Sequence, residues 1–405
     1  MASPAMGSDV WITGIGLISS LGEGQDAHWQ ALTVAEPVPV IDRTRFAPYA
    51  VHPMTALDLD KQIPKRGDQR QMEPWQRFGT YAAGLALADA GLVGDAERLG
   101  RMDMIVACGG GERDVAADTQ ILEGLSGAAA PEAFLNERLN SDLRPTLFLA
   151  QLPNLLAGNI SIVHKVTGSS RTFMGEEVAG ISALDVAHRR IAAGQSELML
   201  VGSATNAERA DILLQLSLGG SLARGGADSV WQRAAAEGGM FPGSAGAFLV
   251  LESPRHAKAR GRRPYARLAA VTGDRCRRAP GQASAVAGRQ FAAIEKRLRA
   301  APPVLSGATG MKAATLEERD FLGGLLAARR IGPVRGMASA LGALVEATVP
   351  TLVAVAALAL DRRGFVSPLD KGGFEQPFAG VPEQVIVTSW GYWRGEGMAL
   401  VEAAS

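Results

Sequence analysis

Cysteine, aromatic residues and net charge are all scarce in this 405-residue sequence. The two cysteines, Cys108 and Cys276, lie far apart, which argues against a disulfide framework and for a cytoplasmic chain. A formal net charge of +0, from 41 basic and 41 acidic residues, leaves no whole-chain footprint for nucleic acid. The five histidines, His28, His52, His164, His188 and His256, are scattered, and none lies beyond His256. Neither a metal constellation nor a cofactor is expected from such a set. Gly109–Gly111 lacks the lysine and helix context of a phosphate loop. The longest apolar runs, such as Leu352–Leu360, reach about half a membrane span, so no membrane insertion is expected. Met1–Asp9 has no basic region followed by an apolar stretch, so no signal peptide is expected either.

What the chain does have is 47% hydrophobic residues and 48 glycines, which suits an α/β protein with tight turns and close packing. Val10–Gly16, Met104–Gly109, Leu198–Gly202 and Ala247–Leu251 read as buried strands, with helices over His28–Leu32 and Val178–Ala193. This alternation predicts a mainly parallel, helix-covered sheet. After an Arg-rich stretch (Arg255, Lys258, Arg260, Arg262, Arg263) the pattern restarts. Strands are read at Arg267–Val271, Pro303–Ser306, Gln384–Ser389 and Gly397–Val401, and helices at Ala283–Arg299 and Ala340–Leu360. Two similar halves are therefore expected, over residues 8–254 and 265–405.

Four segments carry a resemblance. Val10–Gly22 resembles a ketosynthase opening strand with its "TG-G--SPLG" turn. Leu152–Ile162 resembles "PNM-AG-ISI", Gly243–Glu252 resembles "GEGAG-LVLE", and Ser389–Glu396 sits where such proteins have "SFGFGGTN". Each match is weak alone, but their order and spacing span nearly the whole chain. The sequence thus resembles the β-ketoacyl-acyl carrier protein synthases of the thiolase superfamily. The resemblance implies a thiolase-like α/β fold, with two pseudo-repeated halves in five layers, usually as a tight dimer. It also implies an acyltransferase chemistry run by one cysteine and two histidines.

Those three residues are not found where the resemblance puts them. At the strand-to-helix elbow Thr172–Gly180, where the family has "TACA-G", Glu177 takes the cysteine position, or Glu176 with a one-residue slip. Gly307 takes the place of the first histidine, Ser339 that of the second, and Val334 that of a lysine. A carboxylate is a poor nucleophile toward a thioester, and its product, a mixed anhydride, lies well uphill. Loss of every member of a cooperating set costs several orders of magnitude in rate. Tyr392 falls at the position of a gating phenylalanine beside an acyl pocket, with Trp390 close by in sequence. Arg394 and Glu396 in the same loop argue against an open acyl tunnel there.

The expectation is therefore a ketosynthase-like, non-condensing subunit resembling a chain length factor. Its partners would be an active ketosynthase, or a second copy of itself, and an acyl carrier protein. Two basic clusters, Arg255–Arg267 and Lys61, Lys65, Arg66 and Arg70, are candidates for attracting an acidic carrier; a solvated connection between the halves is the preferred reading of the first. Phe134, Leu135, Leu147, Phe148 and Leu149 are candidates for shaping a partner's tunnel. The competing readings are an enzyme of altered chemistry, a decarboxylase or hydrolase using Glu176 or Glu177, and a scaffold homodimer.

Overall fold

The computed structural model describes residues 9–143 and 147–404; Ser8, where the sequence places the start of the first half, lies outside them. Among the described residues eleven strands form one sheet: β1 (Trp11–Ser19), β2 (Gly22–Glu23), β3 (Asp103–Ala107), β4 (Ser170–Phe173), β5 (Leu198–Thr205), β6 (Ala245–Glu252), β7 (Ala266–Asp274), β8 (Val304–Ser306), β9 (Val334–Gly336), β10 (Gln384–Trp390) and β11 (Glu396–Ala403). Their order is β4-β3-β5-β6-β1-β7-β11-β10-β8-β9, with β2 paired to the end of β1. Setting β2 aside, β1 and β3 to β6 occupy the same relative places as β7 to β11. The halves join where Trp11 and Ile12 of β1 pair with Arg267 and Ala266 of β7.

The sheet is mixed, which corrects the mainly parallel arrangement expected from the strand-helix alternation. β3 runs parallel to β4 and β5, and β8 runs parallel to β9 and β10. The β1–β6, β5–β6, β7–β11 and β10–β11 pairs are antiparallel. Strands buried on both faces read as unbroken apolar runs in either direction, so composition cannot report polarity.

Helix α1 (Pro74–Asp89) covers the outer side of β1 and β6. Gly14 and Gly16 permit its approach: a Cβ at Gly16 would stand 2.0 Å from the Ala82 carbonyl oxygen. Helix α2 (Glu176–Ala192) packs on β3 and β5 of the first half and on β7 of the second. Helix α3 (Gln282–Glu295) and helix α4 (Lys312–Ala327) cover the outer side of the second half. Helix α5 (Thr348–Asp361) touches α2 and strands of both halves. Helix α2 and helix α5 thus form the middle of five layers. Residues 348–360 are buried throughout, which is why this segment shows no polar face.

The expected single helix over Ala340–Leu360 is broken. A short helix, Ala338–Leu341, ends at Gly342 with φ +77°, and one 3₁₀ turn, Val345–Ala347, precedes helix α5. Gly342 is required twice over, by its positive φ and by crowding: a Cβ there would lie 2.8 Å from the Gly243 backbone and from the His52 ring. The break turns Glu346 inward, toward the elbow at the start of α2.

Candidate functional site

Strand β4 runs into a sharp elbow. Gly175 has φ +122° and Glu176, the first residue of α2, has φ +59°, so the chain enters the helix through two successive positive-φ residues. A non-glycine residue in that region is strained, and such strain clusters at functional turns. The elbow aims the first turn of α2 at the interior between the halves.

Glu177 is 1% exposed, and neither carboxylate oxygen has a hydrogen-bond partner. Burial pushes its carboxyl up to about 8, and the neighbouring Glu176 and Glu346 add to the rise. The backbone N–H groups of Glu177 and Tyr392 pull the other way, but neither closes to a geometrically acceptable hydrogen bond, so the burial effect dominates. The Glu176 carboxyl is also raised by burial, opposed by Arg394, Arg275 and Arg278. The Glu346 carboxyl is buried and raised for the same reason, and its Oε1 accepts the Glu176 N–H at 3.2 Å. Three glutamates from two distant segments therefore meet at the elbow. Glu346 is the member that the sequence reading missed, because it was hidden inside an apolar run taken as one helix.

Beside the elbow is a cavity of about 400 Å³. Glu176, Glu346 and Tyr392 form one end, and Trp75, Ile212 and Leu216 contribute apolar wall. At its other side Arg209 donates to the carbonyls of Gly110 and Gly111 at 3.1 and 2.7 Å and is paired with Asp211 at 2.6 Å. Among the residues expected at a pocket, Tyr392 lines this cavity and Trp390 does not. Trp390 is 1% exposed and packs on Ala283, Ala287 and Phe321, in the outer core of the second half. Arg394 and Glu396 do not line the cavity either, so they do not obstruct it. Arg394 is exposed, and Glu396 is buried against Arg278 at 2.5 Å.

The other expected positions lie deeper. Gly307 follows β8, and a Cβ there would meet Thr348 Cγ2 at 2.7 Å and the Thr388 carbonyl oxygen at 3.0 Å. Ser339 is buried and accepts the Val230 N–H at 2.9 Å. Val334 is the buried first residue of β9. Gly307 and the segment 337–344 enclose a void of only about 10 Å³. Close by, Glu318 is fully buried; Ser306 and Thr388 donate to its Oε1 at 2.8 and 2.7 Å, and burial pushes its carboxyl up to about 7. His52, from the first half, reaches this neighbourhood through its contact with Gly342, but burial drives its imidazole down to about 3 and it does not line the elbow cavity. Cys108 is buried with its thiol pushed well up, and Cys276 donates to Glu396 at 3.4 Å; neither lines the elbow cavity.

The Arg-rich stretch is occupied internally. Arg260 and His256 bind Glu252, at 2.5 and 2.6 Å, Arg263 pairs with Asp361, and Arg262 donates to the carbonyls of Thr13 and Asp89. Lys65, Arg66 and Arg70 are exposed and form no ion pair among the described residues. Phe148 and Leu149 are 69% and 43% exposed, whereas Leu147 is buried. No group of three or more His, Cys, Asp or Glu among the described residues could hold a metal, and no helix there is long and apolar enough to cross a membrane.

Comparison with known proteins agrees with this architecture. The chain is 26% identical over 269 residues to 3-oxoacyl-[acyl-carrier-protein] synthase 2 of Vibrio cholerae, covering 64% of this chain and 61% of that protein. It is 29% identical over 266 residues to the actinorhodin polyketide putative beta-ketoacyl synthase 2 of Streptomyces coelicolor, covering 62% and 60%. The alignments thus span about three fifths of these curated relatives. Among solved structures, a beta-ketoacyl synthase from Burkholderia phymatum superposes with TM-score 0.77 at 21% identity, over 98% of this chain and 100% of that one. The ishigamide ketosynthase/chain length factor does so with TM-score 0.77 at 19% identity, over the same shares. The fold is the thiolase-like ketosynthase fold. Residues 7–257 match the family profile described as Beta-ketoacyl synthase, N-terminal domain, and with the doubled five-strand order and the elbow at Gly175 this places the chain in the beta-ketoacyl synthase family.

Proposed function

We propose that this chain is a non-condensing, chain-length-factor-like subunit that pairs with an active 3-oxoacyl-acyl carrier protein synthase in fatty-acid or polyketide synthesis in the cytoplasm. The observation that carries the reading is the closure around Gly307: the position that corresponds to a catalytic histidine has no room for a side chain. Glu177 at the nucleophile position is a buried carboxyl that burial keeps largely protonated at neutral pH, which makes it a poor nucleophile. Ser339 and Val334 are likewise engaged in packing. In the proposed division the halves run over residues 8–254 and 265–405, with the paired Arg-rich stretch as their connection.

A partner subunit has a natural seat. Strand β4 pairs only with β3, leaving its other edge open among the described residues, and an open edge invites a strand from another chain. Met174 and Ile162, on adjoining segments, are each 57% exposed. The unpaired Lys65, Arg66 and Arg70 are the surface that suits an acidic carrier protein. The test is co-expression with a cognate ketosynthase carrying an intact Cys-His-His set. The expected result is a co-purifying heterodimer whose product length changes when this chain is omitted. An unchanged product from the ketosynthase alone would refute the proposal.

The second reading is chemistry by Glu177 itself, favoured by its burial and raised proton affinity. Turnover of malonyl-carrier by the isolated chain, abolished in Glu177→Ala, is the result that would support it.

A further inference from the structure

We propose that Arg171, on the open edge of β4, sets which strand can pair there: it disfavours a second copy of this chain and fits a non-identical strand that places an acidic side chain opposite it. This rests on the reading above that the β4 edge is the seat of a partner subunit, and it specifies the chemistry of the strand that takes the seat.

The edge carries a charge that the chain itself does not balance. Strand β4 pairs with β3 alone, with Ile105 beside Arg171. Arg171 is exposed, is the one charged residue of the strand, and its guanidinium has no ion pair or hydrogen bond among the described residues. Side chains alternate along a strand, so Arg171 shares its face with Phe173, which packs on the core that includes Ala183, Leu184 and Ala187 of α2. The carboxylates around that corner are already taken. Asp103, at the start of β3, accepts the Ser169 N–H at 3.0 Å, the Ser169 hydroxyl at 2.7 Å and Arg190 at 2.9 Å. Asp185 of α2 is paired with Arg189 at 2.7 Å. Lys165, exposed on the turn before β4, adds a second cation with no acidic partner among the described residues; its Nζ donates to the Ile162 carbonyl at 2.7 Å.

A lone charge on a sheet edge can also serve to keep every other strand away. The surroundings of Arg171 favour selection instead. Met174, directly after β4, and Ile162, on the helix Leu155–His164 that precedes it, are each 57% exposed. Arginine and methionine are among the residues enriched where proteins pair, and arginine is a frequent energetic anchor there. An arginine covered in such a seam is ordinarily paired with a carboxylate.

Symmetry works against self-pairing. Two copies of β4 joined antiparallel are related by a two-fold axis perpendicular to the sheet, which leaves each residue on the same face as its copy. With the axis at Arg171 the two guanidinium groups stand directly opposite. With the axis at Ser170 or Thr172 they lie across one diagonal. Opposite side chains in an antiparallel pair have Cβ atoms about 5 Å apart and diagonal ones about 7–8 Å, close enough for like charges to repel. An axis at Phe173 would set Arg171 against Gly175, whose φ of +122° takes it out of the extended strand. A non-identical strand is free of this constraint and can bring an aspartate or glutamate to the facing position, where opposite charges stabilise the pair.

The test is a charge swap within the full chain, read by analytical ultracentrifugation at neutral pH and low salt. Wild type alone and Arg171→Glu alone are each expected to self-associate weakly, because like charges meet in both. An equimolar mixture is expected to pair about five- to tenfold more tightly than either alone, since Arg171 of one chain then faces the substituted carboxylate of the other. That preference should shrink at about 1 M salt. Lys296→Glu, at an exposed position just after α3 in the second half, makes the same change in net charge and is expected to give no preference with wild type. A wild-type homodimer as tight as the mixed pair would overturn the proposal. So would a mixture that pairs no better than its parts, total absence of pairing included, or an equal gain with Lys296→Glu. Co-purification with a ketosynthase separates this from the reading it rests on. Arg171→Glu is expected to recover about tenfold less ketosynthase than wild type. Equal recovery by both leaves the subunit reading standing and sinks the role of Arg171; selective pairing in the mixture with no ketosynthase recovered by either supports the role of Arg171 and sinks the subunit reading.

Discussion

The backbone N–H of Glu176 donates to Oε1 of Glu346 at 3.2 Å, tying the elbow of the first half to the broken helix of the second. These residues are 170 positions apart, and the bond lies just beyond the break where Gly342 ends one helix before α5 begins. Removing the acceptor strands a part-buried N–H. Glu346→Ala is therefore expected to cost ~1–3 kcal/mol, read as a lower urea midpoint with an unchanged slope. Glu346→Gln keeps the acceptor and sheds a carboxyl whose ionisation burial opposes, so it is expected to lose much less.

Stability should fall as pH rises through neutrality. The folded-state carboxyls of Glu177 and Glu318 are raised to about 8 and about 7 from an ordinary value of 4.5. Below 4.5 both groups are protonated in either state. Above it the unfolded chain releases those protons while the folded chain keeps them, so unfolding is favoured progressively until the folded-state values are passed. Denaturant midpoints measured from pH 5 to 9 should show this decline. Glu177→Gln should flatten the part between 4.5 and about 8, since an amide does not titrate. A decline of equal size in Glu177→Gln would mean that Glu177 does not hold its proton in the folded state.

Most strands were legible because each is a compact apolar run bounded by glycine or charge, and the doubling of the chain followed from their repetition. Strand β4 was missed: Ser170–Phe173 is short, polar and at the sheet edge, so it carries no apolar signal. Glu177 and Gly307 could be singled out only through the family resemblance, whose motifs put a cysteine and a histidine at those places. Glu346 could not, since its role depends on a helix break inside continuous hydrophobicity, and only Gly342 hints at that break. The sequence reading puts Trp390 at the pocket beside Tyr392, but β10 ends at Trp390 and Tyr392 lies in the loop beyond it, so their nearness in sequence does not place them on one wall.

The junction between the halves should be sensitive to a single acid. Glu252 is 0% exposed at the end of β6. Burial alone would raise its carboxyl, but hydrogen bonds from Arg260, His256 and Thr13 outweigh that and hold it at about 2. Arg260 also donates to the Ala90 carbonyl, so the carboxylate anchors the connection to the first half. Glu252→Ala leaves a nearly buried guanidinium unpaired and is expected to cost ~3–5 kcal/mol. The wild-type contribution is complete above pH 4.5 and is lost as pH falls toward 2. Acid unfolding should therefore be steeper in wild type than in Glu252→Ala.

On the proposed reading, placing a cysteine and two histidines at Glu177, Gly307 and Ser339 should not produce condensation. A Cβ at Gly307 would lie 2.7 Å from Thr348 Cγ2 and 3.0 Å from the Thr388 carbonyl oxygen. Thr348 begins helix α5, which is buried between the halves, so it cannot retreat cheaply. Gly307→Ala alone is expected to cost ~1–3 kcal/mol by overpacking, and Gly307→His more. The combined variant Glu177→Cys, Gly307→His, Ser339→His also removes the Ser339 hydroxyl that accepts the Val230 N–H. It should fold less stably than wild type and show no condensation of acyl and malonyl carriers above background. Measured condensation in that variant would mean that the second half opens by several tenths of an ångström around Gly307, and that the packing around Gly307 is not a barrier to the chemistry.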